Sequence, residues 1–334
     1  MIKRLEYLDC LRGIVMLMVV FCHTCGGFCL ECKGDFWVSR ILGILMLPGF
    51  FFVSGWFTHI NLLGGAILSR LKKMLLPTIV MFLIYVFFYW GNMDRLDYCA
   101  LGEYKFGYWF TIVLFLVNLL HWIVAVGLKS FSLGEGKTEK WILMALAIVA
   151  IGLVALKDWD WNHNGALLAN WFSLRLMAMY FPFYLLGIVC RHFERLFHQL
   201  IDNEWLVAVV VVTFVGSLFH HGGGFYFGCV QGLLGVFLLY RLCYFYQGAF
   251  SAKTWGGRQL SLIGRNTLPI YLLHYFFFLG LKLYGFGDSI DLHTQWFLMM
   301  VVAFILTICV TYASLAMVKV IGLSRLISKL LIGK

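Results

Sequence analysis

Long apolar runs follow one another along almost the whole chain, and they constrain its fold more than any other feature. Of the 334 residues, 62% are hydrophobic and 13% are charged, whereas soluble domains carry about a quarter charged residues. The runs are continuous rather than alternating, which is typical of spanning helices and not of a transmembrane β-barrel. The sequence therefore predicts an all-α, polytopic integral membrane protein with one membrane-embedded domain over residues 1–334.

The apolar runs divide into about ten predicted transmembrane helices, of which the fifth and the seventh are the shortest. Their approximate bounds are 11–30, 37–58, 74–91, 107–127, 141–156, 168–190, 205–220, 223–246, 266–285 and 296–322. Helices of this length and hydropathy can each cross the hydrocarbon core of a bilayer. Membrane lipids are thus expected to surround most of the chain.

The distribution of Lys and Arg predicts that both termini are cytoplasmic, because cytoplasmic loops carry an excess of these residues. In that orientation the outer loops hold five of the chain's 26 Lys and Arg residues: Lys33, Arg95, Lys105, Lys157 and Lys282. Three more lie within spans, namely Arg12, Arg40 and Arg175, and the remaining 18 lie in cytoplasmic segments. This bias accounts for the net charge of +10, so the charge does not imply a nucleic-acid partner.

The first predicted span contains two ionisable residues, Arg12 and His23, eleven positions apart. That spacing is close to three helical turns, so both side chains leave the same face of the helix, roughly 16 Å apart along its axis. Such groups are costly in hydrocarbon and usually face a cavity or a pathway. Asp9 precedes Arg12 by three residues, and we predict that the two side chains pair across one turn.

Other polar residues are predicted to line the same functional region. Tyr271 and His274 lie one turn apart in the ninth span, at a depth comparable to that of His23. Arg175 lies well inside the sixth span, where a buried cation is expected to line a cavity. In the fourth span Trp109 is predicted to be an anchor at the outer interface.

Three cationic residues at or near the predicted cytoplasmic surface suit the binding of phosphate groups. Arg70 and Lys73 are spaced to share one helix face, and Arg265 lies at the cytoplasmic boundary of the ninth span. Positive-inside charge or contact with lipid head groups is the alternative interpretation. Within the spans, Ser54 and Gly55 permit the close approach of a neighbouring helix or a ligand.

The polar and sulfur-containing residues leave some further alternatives open. Asn118 and His121 are expected to form hydrogen bonds between helices rather than to act in catalysis. A disulfide among Cys29, Cys32 and Cys99 is conceivable in an oxidising compartment. Cys22, His23 and Cys25 lack a fourth ligand for zinc, so no metal is expected. Haem ligation by His23 and His274 is a rival interpretation of that pair.

The stretch RLEYLDCLRGIVMLMVVFCH resembles the opening signature of the membrane-bound acyltransferase 3 family, in which Arg is followed by ten residues and His. FFFVSGWF is similar to the Ser-Gly segment of that family, and RLKKMLLP is similar to its basic pair, with lysine where arginine is usual. YWF at 108–110, YFPFYLLG at 180–187 and GRNTLPIYLLH at 264–274 continue the resemblance in the same order. The chain resembles the stand-alone glycan O-acetyltransferase type.

The resemblance implies transfer of an acyl group, usually acetyl from acetyl-CoA, to a hydroxyl of an envelope glycan or a lipid-linked sugar in the bacterial inner membrane. His23 is expected to act as general base or as a transient acyl carrier. Arg12, paired with Asp9, is expected to contribute to catalysis along the path by which the thioester reaches His23. Donors to the oxyanion are then Tyr271, His274 or Ser54. The phosphates of acyl-CoA are expected at Arg70, Lys73 and Arg265, and the acceptor at Arg175 and Trp109. Acyl-CoA is expected to be a co-substrate, and no metal cofactor is expected.

Two other functions remain open from the sequence. A transporter or flippase would also place buried charges along its path. A structural or sensory membrane subunit would tolerate the joint replacement of Arg12 and His23. The acyltransferase interpretation is favoured, because it assigns chemistry to the paired residues of the first span.

Overall fold

The computed structural model describes residues 5–28, 37–131, 137–163, 167–220, 224–280 and 295–334, and all regular structure in these ranges is helical. The helices are α1 Glu6–Phe28, α2 Trp37–Trp56, α3 Gly64–Arg70, α4 Leu76–Trp90, α5 Leu96–Leu101, α6 Trp109–Lys129, α7 Lys137–His163, α8 Leu167–Phe172, α9 Leu174–His192, α10 Glu194–Asp202, α11 Glu204–Leu218, α12 Phe225–Phe245, α13 Trp255–Arg265, α14 Thr267–Gly280, α15 Trp296–Ile321 and α16 Arg325–Ile332. A π-helix, Leu71–Leu75, joins α3 to α4, and a short 3-10 helix, Lys105–Gly107, precedes α6.

The prediction of a polytopic helical membrane protein is confirmed. In the described part of the chain, eight helical stretches are long and apolar enough to cross a membrane, and a ninth arises if α10 and α11 form one span bent by 76°. The ninth predicted span corresponds to α14, whose apolar part, Thr267–Phe278, is shorter than these. The fifth prediction, 141–156, was too short, because α7 has 27 residues.

The helices group into two compact units, and neither unit is a continuous piece of chain. The first unit consists of Met1–Phe50 and Arg195–Val320. The second consists of Phe51–Glu194 and Ile321–Lys334. Each unit therefore combines segments from distant parts of the sequence.

In the first unit, glycines bring α1 into backbone contact with α13. A Cβ on Gly13 would lie 2.2 Å from the carbonyl oxygen of Leu260, and a Cβ on Gly264 would lie 1.8 Å from that of Asp9. These distances leave no room for a side chain, so glycine is required at both positions. The early half of α1, which carries Arg12, is fixed against α13 in this way.

In the second unit, a similar approach joins the end of α2 to α9. A Cβ on Gly55 would lie 1.9 Å from the Tyr184 carbonyl oxygen, and a Cβ on Gly187 would lie 2.1 Å from the Phe52 carbonyl oxygen. The prediction that the Ser54–Gly55 segment permits a close helix approach is confirmed. Gly55 on α2 makes room for the backbone of α9, and Gly187 on α9 makes room for the backbone of α2.

The π-helix changes the setting of the basic segment after α3. Its wider turn interrupts the α-helical spacing between Arg70 and Lys73, and such segments often occur at functional sites. The C-terminal α16 packs against this region, where Gly333 adopts a φ of +70°. A Cβ on Gly333 would lie 1.9 Å from the Lys73 carbonyl oxygen. The backbone of the basic segment is thus held by the end of the chain.

Candidate active site

The first unit brings His23 of α1 together with two consecutive residues of α14, His274 and Tyr275. The imidazole centroids of the two histidines are 5.2 Å apart. The Tyr275 hydroxyl lies 3.1 Å from His23 Nε2, within hydrogen-bonding distance. This arrangement gives three groups that can hold or move a proton in one place.

The helices α1 and α14 run in the same direction at this site. Arg12 donates from its Nη2 atom to the Thr267 hydroxyl over 3.3 Å, and His23 meets Tyr275 further along both helices. Both contacts use the face of α1 that the eleven-residue spacing predicts. Arg12 and His23 are each half-buried, so neither side chain is sealed inside the packed interior.

His274 is fully buried, and its tautomer follows from a backbone contact. Its Nδ1 atom lies 3.2 Å from the carbonyl oxygen of Ile270, which can only accept a hydrogen bond. The proton is therefore on Nδ1, and Nε2 carries a lone pair that has no partner among the described residues. In this tautomer Nε2 is an acceptor, so His274 can donate to an oxyanion only after it has taken up a proton, and that role stays a prediction.

Tyr275 is a member of the cluster that the sequence analysis missed. The predicted tyrosine of the site was Tyr271, whose ring centroid lies 6.0 Å from that of His274. Tyr275 instead contacts His23 directly, with a ring-centroid distance of 5.0 Å. Spacing from His274 alone favoured Tyr271, since residues three apart share a helix face, whereas helix α1 contacts Tyr275, the residue after His274.

The other predicted residues of the first unit lie near the start of α1 and the end of α13. Asp9 is buried, with 5% of its surface exposed, and its pairing with Arg12 stays a prediction. Arg265 is exposed, and its Nε atom donates to the Ser261 carbonyl oxygen of its own helix over 3.1 Å. A cation held in this way still presents its outer guanidinium edge to the surface.

In the second unit Arg70 belongs to a polar network. Its Nη1 atom donates to Asn118 Oδ1, and its Nη2 atom donates to the Thr58 hydroxyl over 2.9 Å. Thr58 in turn donates to the backbone carbonyl of Ser54 over 2.8 Å. Lys73 is exposed whereas Arg70 is half-buried, and a π-helix follows Arg70, so the shared face of these two cations stays a prediction.

Asn118 and His121 form hydrogen bonds between helices, as predicted. The Tyr184 hydroxyl lies 2.8 Å from Asn118 Oδ1 and 2.9 Å from His121 Nδ1. His121 Nε2 lies 2.9 Å from the carbonyl oxygen of Ile60. These bonds connect the α6 residues to α9 and to the segment that follows α2.

Arg175 occupies a different environment from the one that the sequence predicts. It is the second residue of α9, and its side chain is 45% exposed rather than buried deep in a span. Its guanidinium forms two hydrogen bonds of 2.9 Å with the Glu103 carboxylate and one of 2.7 Å with the Tyr104 hydroxyl. The helix starts late because Ser173 adopts a left-handed conformation with φ of +52°.

Trp109 is packed inside the second unit rather than anchored at an exposed interface. Only 9% of its surface is exposed, and its ring stacks on Tyr180 at a centroid distance of 5.5 Å. Tyr180 stacks in turn on Phe51 at 5.0 Å. The expected interfacial anchor is therefore part of an aromatic stack, and its role toward an acceptor stays a prediction.

The cysteine predictions have mixed outcomes. Cys29 and Cys32 lie outside the described residues, while Cys99 is a buried free thiol. Cys22 Sγ lies 3.9 Å from the Ser39 carbonyl oxygen, and Cys25 is buried. Within the described ranges, no group of three or more His, Cys, Asp or Glu side chains is arranged to hold a metal ion.

Lys105 yields a test of pH dependence. Burial lowers the pKa of its amine from the ordinary 10.5, and the amine donates to the Asn170 carbonyl oxygen. The unfolded chain therefore keeps this proton to a higher pH than the folded one, so the free energy of unfolding should rise with pH up to about 10.5. Thermal unfolding in detergent should show this rise, and Lys105→Met should flatten it. An equal rise in both proteins would contradict the assignment.

Comparison with known protein families identifies one family model that matches most of the chain. The family described as Acyltransferase domain, acyltransferase 3, matches residues 5–316, which includes parts of both units. A search of curated proteins and a search of solved structures each found no match. Since the family match covers nearly the whole length, the chain belongs to the acyltransferase 3 family.

Proposed function

We propose that this protein is an O-acyltransferase that moves an acetyl group from acetyl-CoA to a hydroxyl of an envelope glycan or glycolipid in the bacterial inner membrane. The observation that carries the proposal is the cluster of His23, His274 and Tyr275, with a hydrogen bond between His23 and Tyr275. Acyl transfer to a hydroxyl needs a base at the attacking oxygen, and a half-buried imidazole suits that task.

In the proposed reaction His23 Nε2–H donates to the Tyr275 oxygen, so that Nδ1 carries the lone pair. Nδ1 accepts the proton of the acceptor hydroxyl while its oxygen forms a bond to the thioester carbon. The tetrahedral intermediate then breaks the carbon–sulfur bond, and the CoA thiolate takes the proton from His23. The products are an ester and free CoA, and the enzyme returns to its starting protonation state.

The oxyanion of the intermediate requires hydrogen-bond donors. Tyr275 is the donor that we favour, because its hydroxyl lies 3.1 Å from His23 Nε2 and is therefore beside the proposed base. Tyr271 stays a second candidate on the same helix. His274 Nε2 is proposed as a second proton acceptor, since its lone pair is buried and unpartnered among the described residues. An acyl-His23 intermediate is the alternative to direct base catalysis.

Cationic residues are proposed to bind the donor. Arg12 lies on the same α1 face as His23 and is suited to the polar pantetheine arm or the thioester carbonyl. Arg70, Lys73 and Arg265 are proposed to bind phosphate groups of CoA, with Arg70 the only one of the three held by two other side chains in the described structure. A lysine at position 73 acts as a point charge rather than a bidentate partner. For the acceptor we propose Arg175 and Trp109.

The test uses the purified protein in detergent, with acetyl-CoA and a crude glycolipid extract as acceptor. We expect release of free CoA thiol that depends on the extract, and an acetyl ester in the glycolipid fraction by mass spectrometry. Release that occurs equally without acceptor would argue against transfer. Absence of release, together with movement of a solute into proteoliposomes, would favour a transporter instead.

A further inference from the structure

We propose that Tyr184 and His121 are positioning residues that fix Arg70 for binding the phosphate groups of a CoA thioester. The inference rests on the proposed function of Arg70 and extends it to two residues that contact no substrate themselves. Both residues belong to the same compact unit as Arg70.

The innermost bond fixes His121. Its Nε2 atom lies 2.9 Å from the carbonyl oxygen of Ile60, which can only accept, so Nε2 carries a proton. In the neutral imidazole Nδ1 is then an acceptor, and it lies 2.9 Å from the Tyr184 hydroxyl. His121 and Tyr184 are both fully buried, so water does not replace either contact.

The outer bonds fix the amide of Asn118. Its Nδ2 atom donates to the Leu114 carbonyl oxygen over 2.6 Å, and its Oδ1 atom accepts from Arg70. These two partners determine which end of the amide is the oxygen, because the Leu114 carbonyl only accepts and the Arg70 guanidinium only donates. Oδ1 also lies 2.8 Å from the Tyr184 hydroxyl, so the oxygen that holds the guanidinium touches the tyrosine.

Tyr184 therefore stands between two acceptors with a single proton to donate. When the proton points to Asn118 Oδ1, it holds the same oxygen that accepts from Arg70. When it points to His121 Nδ1, Asn118 Oδ1 accepts a hydrogen bond from Arg70 but none from Tyr184. The phenol thus controls how firmly Asn118 is held, and Asn118 controls the direction of the Arg70 side chain.

The exposure of the four residues indicates which end meets a ligand. His121, Tyr184 and Asn118 are at most 2% exposed, whereas Arg70 is half-buried at the end of the network. Within the described structure, Asn118 and Thr58 engage at least two of its five N–H donors. An arginine held on one side and accessible on the other is prepared to bind an anion with its remaining donors.

The experiment compares two acetyl donors in the purified protein. Acetyl-CoA carries phosphate groups, whereas S-acetylpantetheine presents the same thioester without them. We expect Tyr184→Phe and His121→Phe to raise the KM for acetyl-CoA about tenfold, the effect of losing one hydrogen bond. The kcat/KM for S-acetylpantetheine should stay within about twofold of the unaltered protein.

Two further variants separate positioning from folding. His121→Gln keeps a donor for Ile60 and an acceptor for Tyr184, so it should restore most of the affinity for acetyl-CoA. Tyr89→Phe makes the same chemical change at an exposed tyrosine of α4. It should change neither the KM for acetyl-CoA nor the kcat/KM for S-acetylpantetheine. Calorimetric titration of the inactive His23→Ala protein with CoA should show about tenfold weaker binding when Tyr184→Phe is added.

Each outcome has one meaning. Equal losses for both donors would show that the network only supports the fold and would overturn the proposal. Unchanged KM for acetyl-CoA and unchanged CoA binding in Tyr184→Phe would overturn it as well. An unaltered protein that binds CoA but transfers from neither donor would instead refute the proposed acyl transfer, and the titration would still decide the role of Tyr184.

Discussion

Replacement of His23 by alanine should abolish acyl transfer while the protein still folds. General-base catalysis contributes about a hundredfold to ten-thousandfold, and His23 is the imidazole whose Nε2 lies within hydrogen-bonding distance of the Tyr275 hydroxyl. We therefore expect the rate of CoA release by His23→Ala to fall at least about a hundredfold. The measurement is thiol release by the purified variant under saturating acetyl-CoA and acceptor.

The matched control for this variant is His220→Ala, which removes an exposed histidine of the first unit and should leave the rate unchanged. Tyr275→Phe should lower the rate about tenfold, because it removes the hydroxyl that orients His23 and stabilises the oxyanion. Acylated His23 trapped in the absence of acceptor would favour the acyl carrier over the base. Full activity of His23→Ala would refute the catalytic assignment.

A methyl group at Gly55 or Gly187 should destabilise the protein severely. In either variant the new Cβ would overlap a backbone carbonyl oxygen, at 1.9 Å for Gly55→Ala and 2.1 Å for Gly187→Ala. Neither helix can relieve this overlap by turning a side chain, so α2 and α9 must separate. We expect a loss of about 3 kcal/mol in the free energy of unfolding and poor recovery of monodisperse protein. Fluorescence-detected gel filtration after heating measures how much monodisperse protein remains at each temperature.

The control for this prediction is Gly43→Ala on α2, since a Cβ at Gly43 has nothing within 4 Å. There alanine should be neutral or stabilise the helix by about 1 kcal/mol, because glycine is the weaker helix former. Equal behaviour of Gly43→Ala and Gly55→Ala would mean that the close approach of α2 and α9 does not contribute to stability. A large loss only at Gly55 and Gly187 supports the packing.

The membrane fold could be predicted from the sequence because hydropathy acts over whole segments. The same averaging explains what was missed. The span predicted at 168–190 covers most of α8, a break at Ser173 and most of α9, because a window of apolar residues does not register one left-handed residue. Arg175 was therefore predicted to be buried, although it lies at the start of α9 and pairs with Glu103.

The candidate site was predicted in part. Arg12 and His23 share a helix, so their common face follows from spacing alone. Tyr275 was not predicted, because the residue of α14 that meets His23 depends on how α1 packs against it. The π-helix after Arg70 was equally hidden, since it displaces Lys73 without any proline or glycine in Leu71–Leu75 to mark it.

The most direct test of the central claim follows the acetyl group itself. Membranes that contain the unaltered protein or His23→Ala are supplied with acetyl-CoA deuterated in the acetyl group, and their glycans and lipids are analysed by mass spectrometry. The account predicts deuterated acetyl esters with the unaltered protein and none above background with His23→Ala. Equal labelling in the two samples, or none in either despite intact folded protein, would contradict it.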